Sequence, residues 1–330
     1  MIALLVVLSM AAVTFTPSQA ATKAKKAYNI FMMPKITGNP YFVAANNGAS
    51  EAAKELGVNL IWQAPSKGDP NEQVQLIQSA IQQKVDAILV SATDVDALVP
   101  VMQQAMKAKI LTMTWDADVA APGRQIFINQ ASLKGIGISL AQTLGKIMNY
   151  AGNFAIVSST TTAPNQTAWI KYALEEMKKS KYAKMKLIDT VYGGDQDETA
   201  YQAAQGLVTA HPDLKGILAP GSTMVAATAR LIQDKGLTGK IPLTGLGVPS
   251  EMRPYVKNGT VPAFVLWSPP DLGYLSVYAA VRYLDGAITG KKGEKFEAGK
   301  LGKRTMLPNG EILLGPGYVF DKSNIDQFQF

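Results

Sequence analysis

The chain has no cysteine and one histidine among its 330 residues. Without cysteine there is no disulfide scaffold, no iron–sulfur cluster, no thiolate zinc site and no thiol nucleophile. One histidine excludes a two-histidine metal motif and a histidine acid–base pair. Charge is also scarce: 17% of the residues are Asp, Glu, Lys or Arg, against 47% hydrophobic. A disordered chain has the opposite balance. The formal charge of +7 is thinly spread. Its small clusters, Lys23-Ala24-Lys25-Lys26 and Lys291-Lys292, carry no interleaved aromatics on which bases would stack. They read as solvated surface, and no nucleic-acid partner is expected.

Catalytic signatures are missing too. There is no G-x-S-x-G elbow and no H-E-x-x-H. The run Gly286-Ala-Ile-Thr-Gly290-Lys291-Lys292 is one residue short of a phosphate-binding loop and lacks its Ser/Thr. Gly245-Leu246-Gly247 lacks the third glycine of a dinucleotide fingerprint. His211, before Pro212 at a helix end, is expected to cap the last carbonyls. No catalytic residue, cofactor or metal is therefore expected.

What is present begins with a leader. Residues 2–13, IALLVVLSMAAV, form an apolar run of 12, and Ser18-Gln19-Ala20 supplies small residues for cleavage. The run is too short to span a bilayer, which takes about 20 residues, and suits a signal-peptide core. Residues 1–20 are thus expected to be removed near Ala20 on export to the periplasm. No cysteine follows to carry a lipid, so the product is expected free in solution.

The remainder alternates β-type runs with helical patterns, the signature of parallel sheets with crossover helices. Tyr28–Met33, Asn59–Gln63, Ala87–Val90, Ile110–Thr114 and Ile126–Ile128 read as strands; Pro40–Leu56, the segment capped by Asp69-Pro70-Asn71-Glu72, and Ala97–Ala108 read as helices. Asp69 reads as an acidic N-cap, Pro70 as N1 and Glu72 as N3 of that helix. From Leu133 the pattern restarts and runs to Val261, with Gly193-Gly194-Asp195 as a turn and helix cap. Ala263–Trp267 is then a late strand, and Leu272–Leu284 a long helix with two apolar faces. Short β-type runs follow at Glu311–Leu314 and Tyr318–Phe320. The fold class expected is α/β: two doubly wound parallel-sheet lobes with a multi-strand hinge. The expected division is 27–130 plus 268–300 for the N-terminal lobe and 131–267 plus 301–330 for the C-terminal lobe.

Polar and aromatic residues gather where strands end, which is where open α/β sheets bind ligands. They are Lys35 with Phe42; Trp115-Asp116; Asn129; Ser158 with Asn165-Gln166; Pro220-Gly221-Ser222; and Trp267. Carboxylates and amides pair with vicinal hydroxyls, and aromatic faces cover the C–H side of a sugar ring. Each residue has a plainer use as well. Asp116 caps a turn, Lys35 is surface, Asn165 is an N-cap, and Trp115, Trp169 and Trp267 are core. Their shared location favours the site.

These residues resemble those of the periplasmic solute-binding proteins of sugar ABC importers, type I fold. The similarity is greatest to the branch holding the rhamnose-binding and autoinducer-2-binding proteins. It covers about residues 28–330 and is carried by Met33-Pro34-Lys35, Thr114-Trp115-Asp116-Ala117-Asp118 and Phe127-Ile128-Asn129-Gln130. Further carriers are Asn165-Gln166-Thr167-Ala168-Trp169, Met252-Arg253-Pro254-Tyr255-Val256, Leu266-Trp267 and the tail Val319–Ile325. The resemblance implies ligand contacts at Lys35, Asp116, Asn165, Gln166 and Pro220, with the backbone at Ser222. It implies a non-enzymatic monomer that captures a small sugar or sugar-like signal and docks on a membrane ABC permease. Autoinducer-2 receptors of the branch have Asp where this chain has Asn165 and Ala where it has Ser222. Exchanging an acceptor for a mixed donor–acceptor weakens that assignment. The Asn165–Trp169 run and Trp267-Ser-Pro-Pro-Asp-Leu-Gly stand nearer the rhamnose side, with autoinducer-2 the alternative. Repressors that share the core begin with a helix-turn-helix, where this chain has the leader.

Overall fold

The structure is a computed structural model describing residues 27–330, and the leader expected over 1–20 lies outside the described residues. Strand β1 (Asn29–Met33) shows why the first half is layered. Ile30 and Met32 enter one apolar core, Phe31 and Met33 another. A strand apolar on both faces needs helices over both. Helix α1 (Pro40–Leu56) covers the first face; β2 (Asn59–Trp62) follows. Helices α2 (Pro70–Gln82) and α3 (Val99–Lys107) cover the second face with Ile77, Val101 and Met102. Between and after them run β3 (Ala87–Val90), β4 (Leu111–Trp115) and β5 (Ile126–Asn129).

The second set comprises α4 (Leu133–Ile147), β6 (Ala151–Ser158), α5 (Pro164–Glu176), β7 (Lys184–Tyr192), α6 (Asp197–Ala210) and β8 (Leu214–Ala219). It continues with α7 (Ser222–Asp234), β9 (Leu243–Gly245), α8 (Pro249–Lys257) and β10 (Ala263–Leu266). Then come α9 (Pro269–Leu284), β11 (Lys295–Glu297), β12 (Lys303–Thr305), β13 (Glu311–Leu313) and β14 (Tyr318–Asp321).

Two parallel sheets result. The first has the order β13-β5-β4-β3-β1-β2, the second β7-β6-β8-β9. Strand order reverses between β1 and β3 in the first and between β6 and β8 in the second. Loops leaving the two strands at such a point diverge and open a crevice.

The chain passes between the sheets three times, after Asn129, Leu266 and Leu313. On the second passage α9 returns to lie against α1. A Cβ on Gly273 would stand 1.9 Å from the Ala45 carbonyl oxygen, and one on Gly48 would stand 1.8 Å from that of Pro270. The helices therefore touch backbone to backbone.

The tail departs from the expected division. The segment 301–330 does not go wholly to the second lobe: β13 pairs with β5 and closes the edge of the first sheet, while β14 pairs antiparallel with β10. An unpaired β5 edge would leave its amides and carbonyls without ladder partners, and the alternating triplet Glu311-Ile312-Leu313 satisfies them while burying Ile312. The hairpin β11–β12 was not apparent from the sequence, since only Phe296 in it is buried. Of two local expectations, one is met and one changes. Asp69 caps α2 as expected, accepting from the Asn71 amide, and Glu72 accepts from the Ser66 and Lys67 amides. His211 caps no carbonyl with its ring, which sits 2.9 Å from the Asp189 carboxylate. The near-miss phosphate loop holds an anion of its own: Glu294 accepts from the amides of Thr289, Gly290 and Lys291.

Candidate functional site

The two crevices face each other across a shared chamber that opens to solvent. Lys35 reaches it from the loop after β1, and Asn39, Tyr41 and Phe42 from the start of α1. Asp116 comes from the end of β4, Asn165, Gln166 and Trp169 from α5, and Pro220, Gly221 and Ser222 from the turn into α7. Leu266 and Trp267 come from the second passage, and Asp195 from the turn after β7.

The polar groups are joined. Lys35, 4% exposed, donates to the Asn165 side-chain oxygen across the cleft at 3.0 Å. Asp116, equally buried, accepts from the Tyr41 hydroxyl at 3.0 Å and the Ser91 hydroxyl at 2.6 Å. The Trp267 indole donates to the same Tyr41 oxygen at 2.9 Å. Asn39, the N-cap of α1, donates to Thr223 at 3.0 Å and accepts from Ser222 at 3.3 Å, so the starts of α1 and α7 are tied across the cleft. Gln166 is anchored by the Ser158 hydroxyl and the Ser159 amide. Aromatic walls complete the chamber: Trp267 lies edge-on to Tyr41 at 5.9 Å and tilted to Trp169 at 5.7 Å.

Asp116 sits at φ +62°, a left-handed conformation that Asp tolerates better than most side chains and that recurs at ligand sites. It turns the carboxylate away from the strand toward the chamber. Burial pushes this carboxyl upward, while Lys35 and the Ser91 and Tyr41 hydroxyls pull it back. Burial likewise raises the Tyr41 phenol well above its usual range, helped by Asp116, so the phenol stays neutral and donates. Among the described residues no cluster of His, Asp and Glu is arranged to hold a metal ion.

Eight of the residues expected at the site line the chamber: Lys35, Phe42, Asp116, Asn165, Gln166, Pro220, Ser222 and Trp267. Two do not. Trp115 is wholly buried beneath the chamber floor, 5.8 Å from both Phe42 and Trp62. Asn129 faces the sheet edge and donates to Glu311 of β13 at 2.7 Å. Of the plainer readings, the N-cap of α5 is Ala163, so Asn165 does not serve there.

A family model for the periplasmic binding protein domain matches residues 30–288. The chain belongs to this family. Its fold is the type I periplasmic binding protein fold, and solved relatives resemble it over nearly their whole length. A sugar ABC transporter protein from Actinomyces odontolyticus is 39% identical, covering 92% of this chain and 98% of that one, with a TM-score of 0.73. A solute-binding protein from Clostridium phytofermentas with bound L-rhamnose is 34% identical, with coverage of 92% and 98% and a TM-score of 0.88. LsrB from Clostridium saccharobutylicum, in complex with AI-2, is 25% identical, with coverage of 92% and 100% and a TM-score of 0.87. The D-ribose/D-allose-binding protein of Pseudomonas aeruginosa is 27% identical over 246 residues, 70% of this chain and 74% of that protein.

In this periplasmic binding protein the chamber also has Asn39, Tyr41, Trp169 and Asp195 in its lining, none of them among the expected contacts. Tyr41 was hidden in the first turn of an apolar helix and Asn39 in its cap. Asp195 reads in the sequence as part of the turn and cap before α6, but the N-cap there is Gln196. The signal for Asp195 was its place just beyond the C-terminal end of a strand, the same signal that selected Lys35 and Asp116.

Proposed function

We propose that this protein is the solute receptor of an ABC importer, acting in the periplasm after loss of its leader, and that its ligand is a neutral monosaccharide of the 6-deoxyhexose type, such as L-rhamnose. The observation that carries this reading is the cross-cleft arrangement of Lys35, Asp116, Asn165 and Gln166 between aromatic walls. Buried hydroxyls need one partner each, and a chamber built this way supplies donors and acceptors from both sides. The Trp169 and Trp267 faces suit an apolar C–H surface such as a methyl-bearing ring.

Lys35, Phe42 and Asp116 come from one lobe, and Asn165, Gln166, Pro220 and Ser222 from the other. A ligand gripped by both binds the closed arrangement better than an open one, and that difference alone shifts the population toward closure. The closed receptor, a monomer, then docks on a membrane permease and releases the sugar chemically unchanged. With about a dozen heavy atoms, a monosaccharide can reach −8 kcal/mol, a micromolar Kd, well inside the ligand-efficiency ceiling. The 34% identity to the L-rhamnose-bound relative supports the deoxyhexose.

The alternative ligand is autoinducer-2, favoured by the TM-score of 0.87 to LsrB and disfavoured by the amide at Asn165. Thermal-shift measurements across pentoses, hexoses, deoxyhexoses, polyols and autoinducer-2 decide between them. A rise in Tm with L-rhamnose and none with autoinducer-2 is expected; the reverse transfers the assignment, and no rise with any compound ends the receptor reading.

A further inference from the structure

Four ionisable side chains line the chamber: Lys35, Tyr41, Asp116 and Asp195. The first three already have partners, Lys35 with Asn165, Tyr41 with Asp116 and Trp267, and Asp116 with Tyr41 and Ser91. Asp195 differs. Among the described residues its carboxylate makes no hydrogen bond or ion pair, although it is partly buried and shares the chamber with a second carboxylate.

Its position is not incidental. The Gly193 amide donates to the Ser158 carbonyl and the Gly194 amide to that of Ser159, both at 2.9 Å, pinning the turn after β7 to the end of β6. A Cβ on Gly193 would come within 2.5 Å of the Ala200 backbone, and Gly194 takes φ +66°. Only a Gly-Gly pair lets the chain turn this tightly and carry Asp195 to the chamber wall. Asp195 also lines two outer hollows that open to solvent, so it stands at the boundary between chamber and cleft mouth.

An unpartnered carboxylate there brings nothing to the empty receptor. Burial and the nearby Asp116 both work against its charge, with Lys35 offsetting them in part. Residues that lower the stability of the free protein while facing a binding chamber are expected where function requires them.

We propose that Asp195 is a specificity-determining residue of the second lobe, whose free carboxylate accepts hydrogen bonds from one or two adjacent ligand hydroxyls on the side of the ring opposite Asp116. The inference rests on the proposed sugar-binding function and narrows it: the ligand presents hydroxyl donors toward both lobes, and the hydroxyl read by Asp195 is bound only once the cleft has closed. Both Asp195 oxygens keep all their lone pairs for the ligand, giving it the largest spare acceptor capacity in the lining.

The test compares the wild type with Asp195→Asn and Asp195→Ser, using L-rhamnose and its monodeoxy analogues as calorimetric probes. Kd for L-rhamnose is expected to rise about tenfold or more in both variants, the scale of one lost charge-assisted hydrogen bond. Removing one particular ligand hydroxyl is expected to weaken the wild type strongly and the variants much less. Tm of the ligand-free variants is expected to equal or exceed that of the wild type. Equal penalties for every analogue in wild type and variants would overturn the proposal. So would a lower Tm of the ligand-free variants, which marks a structural role. A wild type that binds no L-rhamnose would instead strike the ligand assignment itself, and this inference would fall with it, whereas a wild type that binds and variants that bind equally would remove Asp195 alone.

Discussion

Asp116 and Trp115 are neighbours with opposite fates, and the reason is the two-residue period of a strand. Trp115 ends β4 and points into the core, against Phe42 and Trp62. Asp116, one residue on and in a left-handed turn, points into the chamber. Asp116→Ala is expected to abolish the ligand-induced rise in Tm, because a charge-assisted hydrogen bond contributes ~1.5–3 kcal/mol and its loss costs tenfold or more in Kd. A Tm rise left unchanged by the substitution across the sugar panel would take Asp116 out of the site. Trp115→Ala, by contrast, is expected to destabilise the free protein by ~3–5 kcal/mol in urea denaturation. The milder Trp115→Phe should leave the ligand Kd as it was, and a large change in Kd would return Trp115 to the contact set. The sequence located the strand ends to within a residue, and with them Lys35, Asp116, Asn165 and Gln166 of the chamber lining. It could not say which way the last side chain of a strand points, and so it grouped Trp115 and Asn129, which lie outside the lining, with residues that face the chamber. Nor could it count lining residues inside a helix turn, where Tyr41 and Phe42 look alike as apolar positions.

Helices and strands were the most legible part. Asp69 before Pro70 marks the start of α2, and α9 begins at Pro269 behind its Ser268 cap, a few residues ahead of the expected Leu272. Long apolar stripes do the same for α1 and α9. What escaped was β11–β12, a polar surface ribbon without a periodic apolar face, and the loops whose amides are satisfied by nearby carboxylates, Glu72 and Glu294. Those pairings depend on a folded turn and have no linear signature. The contact between α1 and α9 gives a sharp test at this scale. Gly273→Ala forces a methyl group against the Ala45 carbonyl, so the helices must part. A loss of ~1–3 kcal/mol is expected, seen as a lower urea midpoint with unchanged m. An unshifted midpoint would mean that the pair is loosely held.

For the molecule as a whole, two predictions concern shape and proton binding. Closure on a sugar should reduce the radius of gyration in small-angle scattering, and a radius identical with and without ligand would leave a rigid body in place of a two-lobed receptor. The second concerns Glu251 on α8. Burial, reinforced by Asp197, raises its carboxyl from the ordinary 4.5 to about 7. Between these values the folded chain holds a proton that the unfolded chain has released. Its contribution to stability is therefore intact below about pH 4.5 and declines as pH climbs toward 7. Glu251→Gln removes that decline. The Tm advantage of the variant should be near zero at pH 4.5, should grow through the window, and should level off above pH 7. A pH-independent difference would show that Glu251 does not titrate there. The two-lobed layout itself was readable from the restarted β–α alternation. The third passage between sheets was expected at 300/301 and falls after Leu313, because β13 is three residues long and its partner lies far back in the sequence.

That distant partnership orders events during synthesis. β5 is complete at Asn129, yet its outer neighbour ends at Leu313, so no nascent chain shorter than 313 residues owns a finished first sheet. Until then an adhesive, half-satisfied border stays open beside Phe127, ready to zip to any extended peptide it meets. Ribosome-stalled fragments that stop ahead of Glu311 should therefore clump, and supplying the missing segment as a free peptide should disperse them.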